Sequence, residues 1–275
     1  AGEHRGLEAS GQAGQMTAEG GAMHGGTAQD RLQAELDEAR RQMAAMAAAH
    51  EAFLRGVSHD LRAPLRHVTS YGALVRELLQ ELPAQYPQVE EALGFLATMD
   101  ASARRMGLMI DGLQAIARAG RAPLRLQAVD LGAAVQQARA LLGGAGDGVQ
   151  WDVAPDMPAV RADAELFGQL LAQLLGNALK FTRGVAQARI AVHAEPDGQG
   201  RVRITVQDNG AGFDGARAQQ LFGVFQRMHR EADFEGVGAG LALCAAIAQR
   251  HGATITAAAA PGAGCSIRLD WPGAA

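Results

Sequence analysis

The sequence predicts two domains of different class: an all-α helical hairpin that forms a four-helix bundle in a dimer, followed by an α/β (α+β) sandwich. Three observations lead to this prediction. Apolar residues recur at helical spacing from about residue 28 to residue 119. From residue 124 onward helical and strand patterns alternate, with glycine-rich turns between them. The length of 275 residues gives room for about two domains.

Composition and charge exclude several classes of protein. The formal net charge of −4 gives no basic surface for nucleic acid. No apolar run reaches the roughly 18 residues of a membrane span. Cys244 and Cys265 form no metal-binding pattern, and two cysteines are too few for a disulfide framework. We therefore expect a reducing, cytoplasmic compartment. The chain starts at Ala1, so we expect that an upstream part is missing. Attachment to a membrane through that upstream part is an alternative that stays open.

The N-terminal fifth of the chain changes character near residue 28. Residues 1–27 are rich in glycine and are predicted to be a disordered tail. Residues 28–52 are predicted to be a coiled-coil linker helix, because apolar positions alternate at spacings of four and three. This heptad seam comprises Leu32, Leu36, Ala39, Met43, Met46, His50, Phe53 and Val57.

Residues 53–120 are predicted to form the helical hairpin. Two long amphipathic patterns flank Pro83 and Pro87, which end the first helix. A single hairpin cannot enclose a core, whereas two hairpins from two chains can, so we expect a homodimer. The alternative is that the hairpin packs on the C-terminal domain of its own chain.

His59 is the residue around which we expect this hairpin to work. It lies two residues after Val57, or about 200° round the helix, and therefore faces away from the seam toward solvent. Asp60 follows it directly. Pro64 cannot donate a hydrogen bond to the carbonyl of Asp60, so we expect the helix to bend there.

Residues 121–124 are predicted to be a linker, and residues 125–271 the α/β domain. Asp130 and Asp163 are expected to cap helices that run to Leu142 and Thr182. A third helix is expected from Gly240 to Arg250. The predicted strands are 126–129, 149–153, 159–161, 189–193, 202–206, 254–258 and 266–269.

One face of the second predicted helix is polar. Gln173, Asn177 and Lys180 are spaced four and three apart and therefore share a face. An amide oxygen can ligate Mg²⁺, and lysine is a compact charge for phosphate. Lys180 is the only lysine in the chain. The alternative is an ordinary solvated face.

Three glycine-rich turns accompany this face. Asp208 ends a predicted strand, and its carboxylate can accept a hydrogen bond from an adenine amino group, although Asp-Asn-Gly is also a common turn. The segment 235–241 enters a helix, whose N-terminal N–H groups suit phosphates. A third turn, 261–267, is by itself a hairpin signal. The glycines and neighbours that we assign to a ligand pocket are Gly210, Gly212, Gly236, Gly238, Gly240, Leu241 and Ser266.

These motifs, in this order, resemble those of bacterial sensor histidine kinases, and most closely those of phytochrome-type kinases. The resemblance covers about residues 50–271. The motifs are SHDLRAPL (H box), QLLGNALKF (N box), DNGAGF (G1 box), LFGVFQR (F box), the short lid RMHREADFEG, EGVGAGLAL (G2 box) and the turn PGAGCSI.

The resemblance implies a dimerisation and phosphoacceptor hairpin followed by a Bergerat-type ATP-binding domain. It implies that His59 is the nucleophile and that Asp60 orients the imidazole and accepts its proton. Asn177 would hold Mg²⁺, Lys180 would lie near the phosphates of ATP, and Asp208 would bind adenine. The phosphoryl group would then pass to the receiver domain of a response regulator, under control of an upstream sensor.

The sequence departs from the family pattern at a few positions. Ala63 stands where many relatives carry Thr or Asn, so we expect weak dephosphorylation of the regulator. Val237 and Ala239 replace the usual Thr and Ile of the G2 box, which would loosen the lid. Two alternatives to an active kinase therefore stay open: a degenerate kinase that serves as a dimeric scaffold or phosphotransfer module, and an ATPase driven by lid movement.

Overall fold

The structure, a computed structural model, describes residues 19–81, 87–146, 148–230 and 233–274. The side chains of His59 and Asp60, and most of those between residues 42 and 57, lie outside the described part. The chain divides into two compact units, Ala1–Phe53 and Leu54–Ala275. The predicted direction of His59, away from the heptad seam, therefore stays a prediction.

The described part of the chain begins with two long helices, α1 (Glu19–Gln80) and α2 (Pro87–Ala119). Helix α1 continues through Pro64. It also begins well before residue 28, so residues 19–27, which we predicted as part of a disordered tail, are helical. Extension of an existing helix adds one hydrogen bond per residue, and a glycine costs only about 1 kcal/mol. The two glycine pairs in this stretch, at positions 20–21 and 25–26, therefore do not end the helix.

The predicted hairpin is present, with its two helices in contact side by side. Arg62 Nη2 donates to Asp111 Oδ1 at 2.5 Å and to Gln114 Oε1 at 2.8 Å. Farther from His59, a Cβ at Gly72 would lie 3.2 Å from the Met99 side chain. These contacts pair early residues of the hairpin with late ones, as antiparallel helices require.

The C-terminal domain contains a five-stranded sheet and a two-stranded sheet. The strands of the larger sheet follow the order β2-β4-β5-β7-β6, in which only β2 and β4 pair in parallel, and β1 pairs with β3. The strands are β1 (Leu126–Val129), β2 (Gln150–Val153), β3 (Val160–Asp163), β4 (Arg189–Pro196), β5 (Arg201–Asp208), β6 (Thr254–Ala259) and β7 (Cys265–Pro272).

Three helices pack on the larger sheet, and the core lies between these two layers. The helices are α3 (Leu131–Leu141), α4 (Ala164–Phe181) and α5 (Gly240–Arg250). The leucine face of α4 is fully buried, and each buried leucine contributes roughly 2 kcal/mol. Trp271 of β7 packs edge-on against Phe167 of α4, with ring centroids 4.8 Å apart. This packing fixes the polar face of α4 on the opposite side.

Five of the seven observed strands, β3 to β7, are longer than the patterns that predicted them, whereas β1 has the predicted length and β2 is one residue shorter. The turn between β4 and β5 explains one case, because Asp197 Oδ1 accepts hydrogen bonds from the N–H groups of Gln199 and Arg201. This closes a tight hairpin and lets backbone pairing reach Pro196. In the described part of the chain, no helix is both long enough and apolar enough to cross a bilayer.

The predicted linker at 121–124 is packed rather than free. Ala122 and Leu124 contact the core of the C-terminal domain. Arg250, in the last turn of α5, donates to the carbonyl oxygens of Ala119 at 3.3 Å and Ala122 at 2.8 Å. The end of α2 is therefore bound to the end of α5 by one guanidinium group.

Candidate nucleotide site

A cavity of about 400 Å³ lies between the polar face of α4, the carboxyl end of β5 and the lid segments, which we define as residues 226–230 and 233–239. Most of the residues that the sequence assigned to a ligand pocket line this cavity. They are Asn177, Lys180, Asp208, Gly212, Gly236, Gly238, Gly240 and Leu241. Gln173, which shares the face of Asn177, lines it as well.

Asp208 places a buried carboxylate in the cavity wall. It is the last residue of β5, its relative exposure is 8%, and its Oδ1 accepts a hydrogen bond from the N–H of Gly210 at 2.9 Å. Burial raises the pKa of Asp208, and hydrogen bonds from the N–H groups of Gly210 and Cys265 oppose that rise. A carboxylate held this way is an acceptor for an amino or imino donor on a ligand.

Lys180 carries positive charge to the other side of the same cavity. Its Nζ donates to the carbonyl of Glu235 at 3.3 Å and lies 4.3 Å from the ring centroid of Phe181. Burial and the nearby Arg227 lower the pKa of Lys180, whereas Glu235 acts in the opposite direction. The ammonium group therefore loses solvent contacts that an anionic ligand can replace.

Gly238, in the second lid segment, and Gly240, at the start of α5, lie where there is no room for a side chain. Gly238 has φ of +76°, and a Cβ there would lie 2.6 Å from the carbonyl oxygen of Gln226. A Cβ at Gly240 would lie 2.5 Å from Gln173 Oε1. Helix α5 starts at Gly240, and no side chain caps its N-terminus. Its first N–H groups therefore suit an anion.

Phe225, just before the lid segments, has an unusual backbone. It is a non-glycine residue with φ of +61°, a conformation that costs about 1 kcal/mol or more. Its N–H donates to the carbonyl of Gly238 at 3.0 Å. This bond joins the residue that precedes the first lid segment to a glycine near the end of the second, so the strained conformation has a role in shaping the cavity wall.

Comparison with known families relates the domain that contains this cavity to a family of ATPases. Residues 162–275 match the model of the family described as "Histidine kinase-, DNA gyrase B-, and HSP90-like ATPase". The C-terminal domain belongs to this ATPase family. The match includes α4, Asp208 and the lid segments, which together form the cavity.

Curated relatives of the ATPase domain also match most of the hairpin. The chain is 28% identical over 244 residues to the methanogenesis regulatory histidine kinase FilI of Methanothrix harundinacea, over 88% of this chain and 27% of FilI. It is 30% identical over 219 residues to the phytochrome-like protein Cph1 of Synechocystis, over 78% of this chain and 28% of Cph1. The chain thus spans about a quarter of the length of these relatives.

A solved structure shares the fold. The crystal structure of full-length ShkA in complex with AMPPNP has a TM-score of 0.55 and 24% identity, over 81% of this chain and 46% of that chain. This likeness shows the fold alone. The comparisons together confirm the predicted fold and the predicted family: the chain is homologous to sensor histidine kinases, and phytochrome-like proteins are among its relatives.

Two residues that the sequence assigned to the pocket of the ATPase domain do not line it. Cys265 and Ile267 of β7 face the cavity, so Ser266 between them points to the opposite side of the sheet, because side chains alternate along a strand. Gly210 lies beneath the cavity. A Cβ there would lie within 2.3 Å of the carbonyl oxygen of Phe181, so this glycine permits the close approach of α4.

Several residues in the wall of the pocket were missed by the sequence interpretation. Arg227 donates to the carbonyl of Gly236 at 2.5 Å and to that of Phe234 at 2.7 Å. Arg227 is the last residue of the LFGVFQR motif, and this position could have indicated that it belongs to the pocket. Cys265, predicted to be a core residue, lines the pocket, and burial raises the pKa of its thiol to about 12. Leu108 reaches the pocket from α2, and no local pattern indicated this long-range contact.

Proposed function

We propose that this chain is the core of a histidine kinase in a two-component system. In this proposal ATP phosphorylates His59, and the phosphoryl group then passes to an aspartate of a response regulator. The observation that carries the proposal is the pocket that combines Asp208, Asn177 and Lys180 inside a domain of the ATPase family. The match to the named histidine kinase FilI covers 88% of this chain and therefore extends over the hairpin that contains His59.

The residues of the pocket fit ATP with Mg²⁺. Asp208 offers a buried acceptor for the adenine amino group, and the aromatic and aliphatic wall suits the purine ring. Lys180 and the N-terminus of α5 would neutralise phosphate charge. Asn177 would supply an amide oxygen to Mg²⁺, which typically keeps only one or two protein ligands beside phosphates and water. The metal would neutralise charge on the phosphates during transfer.

In the proposed reaction, the His59 imidazole forms a bond to the γ-phosphorus while the bond from that phosphorus to the bridging oxygen breaks. The displaced group leaves as ADP. Asp60 would hold the ring in the reactive tautomer and accept its proton. The roles of His59 and Asp60 are carried over from the family.

The described part of the hairpin supports a homodimer. Many large apolar side chains there remain exposed, although amphipathic helices normally bury such a face. Those exposed by 40% or more include Leu61, Tyr71, Leu74, Val75, Leu78, Phe95, Met99 and Met106. A second hairpin laid on this face would complete a four-helix bundle. Light scattering is expected to give twice the chain mass at micromolar concentration, and a monomeric mass would contradict the dimer.

A second candidate function is a scaffold or phosphotransfer module without kinase activity. Ala239 and Val237, which replace larger or polar residues of the G2 box, favour it. Calorimetric titration with Mg·ATP separates the two functions. The kinase must bind Mg·ATP, and Asn177→Ala must abolish that binding. A scaffold need not bind Mg·ATP at all.

The response-regulator step is tested by transfer. Chain that carries label from γ-labelled ATP is freed of nucleotide and mixed with purified receiver domains encoded by the same genome. We expect label to leave the chain and to appear on one receiver within minutes, and not on the same receiver with its phosphoacceptor aspartate changed to asparagine. Retention of label on the chain with every receiver would contradict this part of the proposal.

A further inference from the structure

Three aromatic rings, from Phe181, His229 and Phe234, meet beside the nucleotide pocket; we call them the ring cluster. The centroid of His229 lies 5.2 Å from that of Phe181 and 4.9 Å from that of Phe234, and the two phenyl rings are 5.0 Å apart. All three residues line the cavity. Phe181 ends α4, whereas His229 and Phe234 come from the two lid segments.

The ring cluster connects to Lys180 and to the glycine turn. Phe181 has the Lys180 ammonium 4.3 Å from its centroid, so one ring contacts both the cation and the other two rings. Phe234 precedes Glu235, whose carbonyl accepts the hydrogen bond from Lys180. His229 connects the first lid segment to the rings of Phe181 and Phe234.

We propose that His229 is a positioning residue of the nucleotide site: its ring packs against Phe181 and Phe234 and thereby holds the second lid segment and Lys180 in the arrangement that binds phosphate. This inference rests on the proposed nucleotide function of the pocket. His229 acts through its neighbours, so it should affect nucleotide affinity more than the rate of the chemical step.

The charges around His229 predict how the contact responds to pH. Burial lowers the pKa of His229, and Lys180 on α4 acts in the same direction. Asp233 on the second lid segment and the carbonyl of Gly212 act in the opposite direction without cancelling the shift. The neutral imidazole is therefore the form that packs in the cluster. Protonation at acidic pH should weaken the cluster and, with it, nucleotide affinity.

The test compares His229→Ala, His229→Phe and the wild-type chain by calorimetric titration with ADP and Mg²⁺. In His229→Ala, loss of the ring is expected to raise the Kd of ADP about three- to tenfold. In His229→Phe, the Kd is expected to stay within about twofold of the wild-type value. At saturating ATP, the maximal rate of label incorporation should change by less than about twofold. His193→Ala is the matched control, because His193 is half exposed and faces Asp152 rather than the cavity.

The pH dependence of the Kd of ADP is a second measurement. A merely structural role of His229 would not change it. Between pH 7.5 and pH 5.8, the Kd of ADP should rise more for the wild type than for His229→Phe, in which the ring cannot be protonated. An unchanged Kd in His229→Ala, or equal pH profiles for the wild type and His229→Phe, would overturn the inference while leaving the nucleotide function intact. Absence of ADP binding by the wild type would contradict both.

Discussion

Asp208 shows at the scale of one residue how a binding site conflicts with stability. Its carboxylate is almost fully buried at the end of β5, and burial raises its pKa above the usual range. The folded domain therefore holds the proton more tightly than the unfolded chain does. As pH rises above the ordinary aspartate value of about 3.9, the ionised group lowers the free energy of unfolding. The ionised carboxylate is the form that would accept a hydrogen bond from an adenine amino group in the role that we propose for Asp208.

Asp208→Asn should separate these two effects. The amide oxygen can still accept from Gly210, and no charge is buried, so we expect the thermal midpoint at pH 7 to rise by about 1–3 °C. The affinity for ADP should fall about tenfold or more, because a charge-assisted hydrogen bond is lost. Scanning calorimetry and titration check both results. A lower midpoint together with unchanged affinity would contradict the assigned role.

Helix α4 shows how one element is held in place so that its polar face lines the pocket. Asp163 caps it, since Oδ1 accepts from the N–H of Leu166 at 3.1 Å and Oδ2 from that of Arg125 at 2.9 Å. His251 Nε2 accepts from the N–H of Asp163 at 3.0 Å. Burial tends to raise the pKa of Asp163, but these backbone hydrogen bonds and His251 outweigh it and lower the pKa. Its stabilising effect is therefore present above about pH 4 and lost as pH falls further.

Asp163→Ala is expected to reduce the free energy of unfolding by about 2–3 kcal/mol, because a helix cap and a buried backbone partner are lost together. Asp130→Ala is the matched control. Asp130 caps α3 through one hydrogen bond, to the N–H of Ala133 at 2.9 Å, and its loss should cost only about 1 kcal/mol. Urea unfolding at pH 7 measures both values. Equal costs would show that the bond to Arg125 contributes nothing.

Most elements could be predicted from the sequence because their signals are local. The caps Asp130 and Asp163 and the leucine face of α4 are read from spacing alone, and the structure confirms both helices. The ends of the strands could not be predicted, because pairing partners rather than side-chain alternation set them. Ser266 does not line the cavity, because the motif predicted its position along β7 but not the face of the sheet to which its side chain points.

At the scale of the whole molecule, α2 packs against α5 and the end of the lid. A Cβ placed at Gly112 would lie 2.5 Å from the Cβ of Ala239, so the contact requires a glycine opposite a small residue. Leu108, one turn earlier, lines the nucleotide pocket. A larger side chain at position 239, such as the isoleucine expected from the family pattern, would extend from this contact toward α2. No local signal in the sequence indicated that these residues meet.

Gly112→Ala should therefore disturb this contact although it favours helix formation. We expect faster hydrogen exchange at the N-terminal amides of α5 and a lower thermal midpoint. Gly94→Ala, in the same helix with nothing within 4 Å of the added methyl, should raise the stability by about 0.5–1 kcal/mol. If both variants were stabilised equally, the close approach of α2 to Ala239 would be contradicted.

The central claim is that ATP bound in this pocket phosphorylates His59, and the most direct measurement is incubation with γ-labelled ATP and Mg²⁺. The wild type, His59→Gln and Asn177→Ala are compared. We expect label on the wild type alone, stable in base and labile in acid. Acid-stable label, or label of equal amount on His59→Gln, would contradict the assignment of His59 as the phosphoryl acceptor.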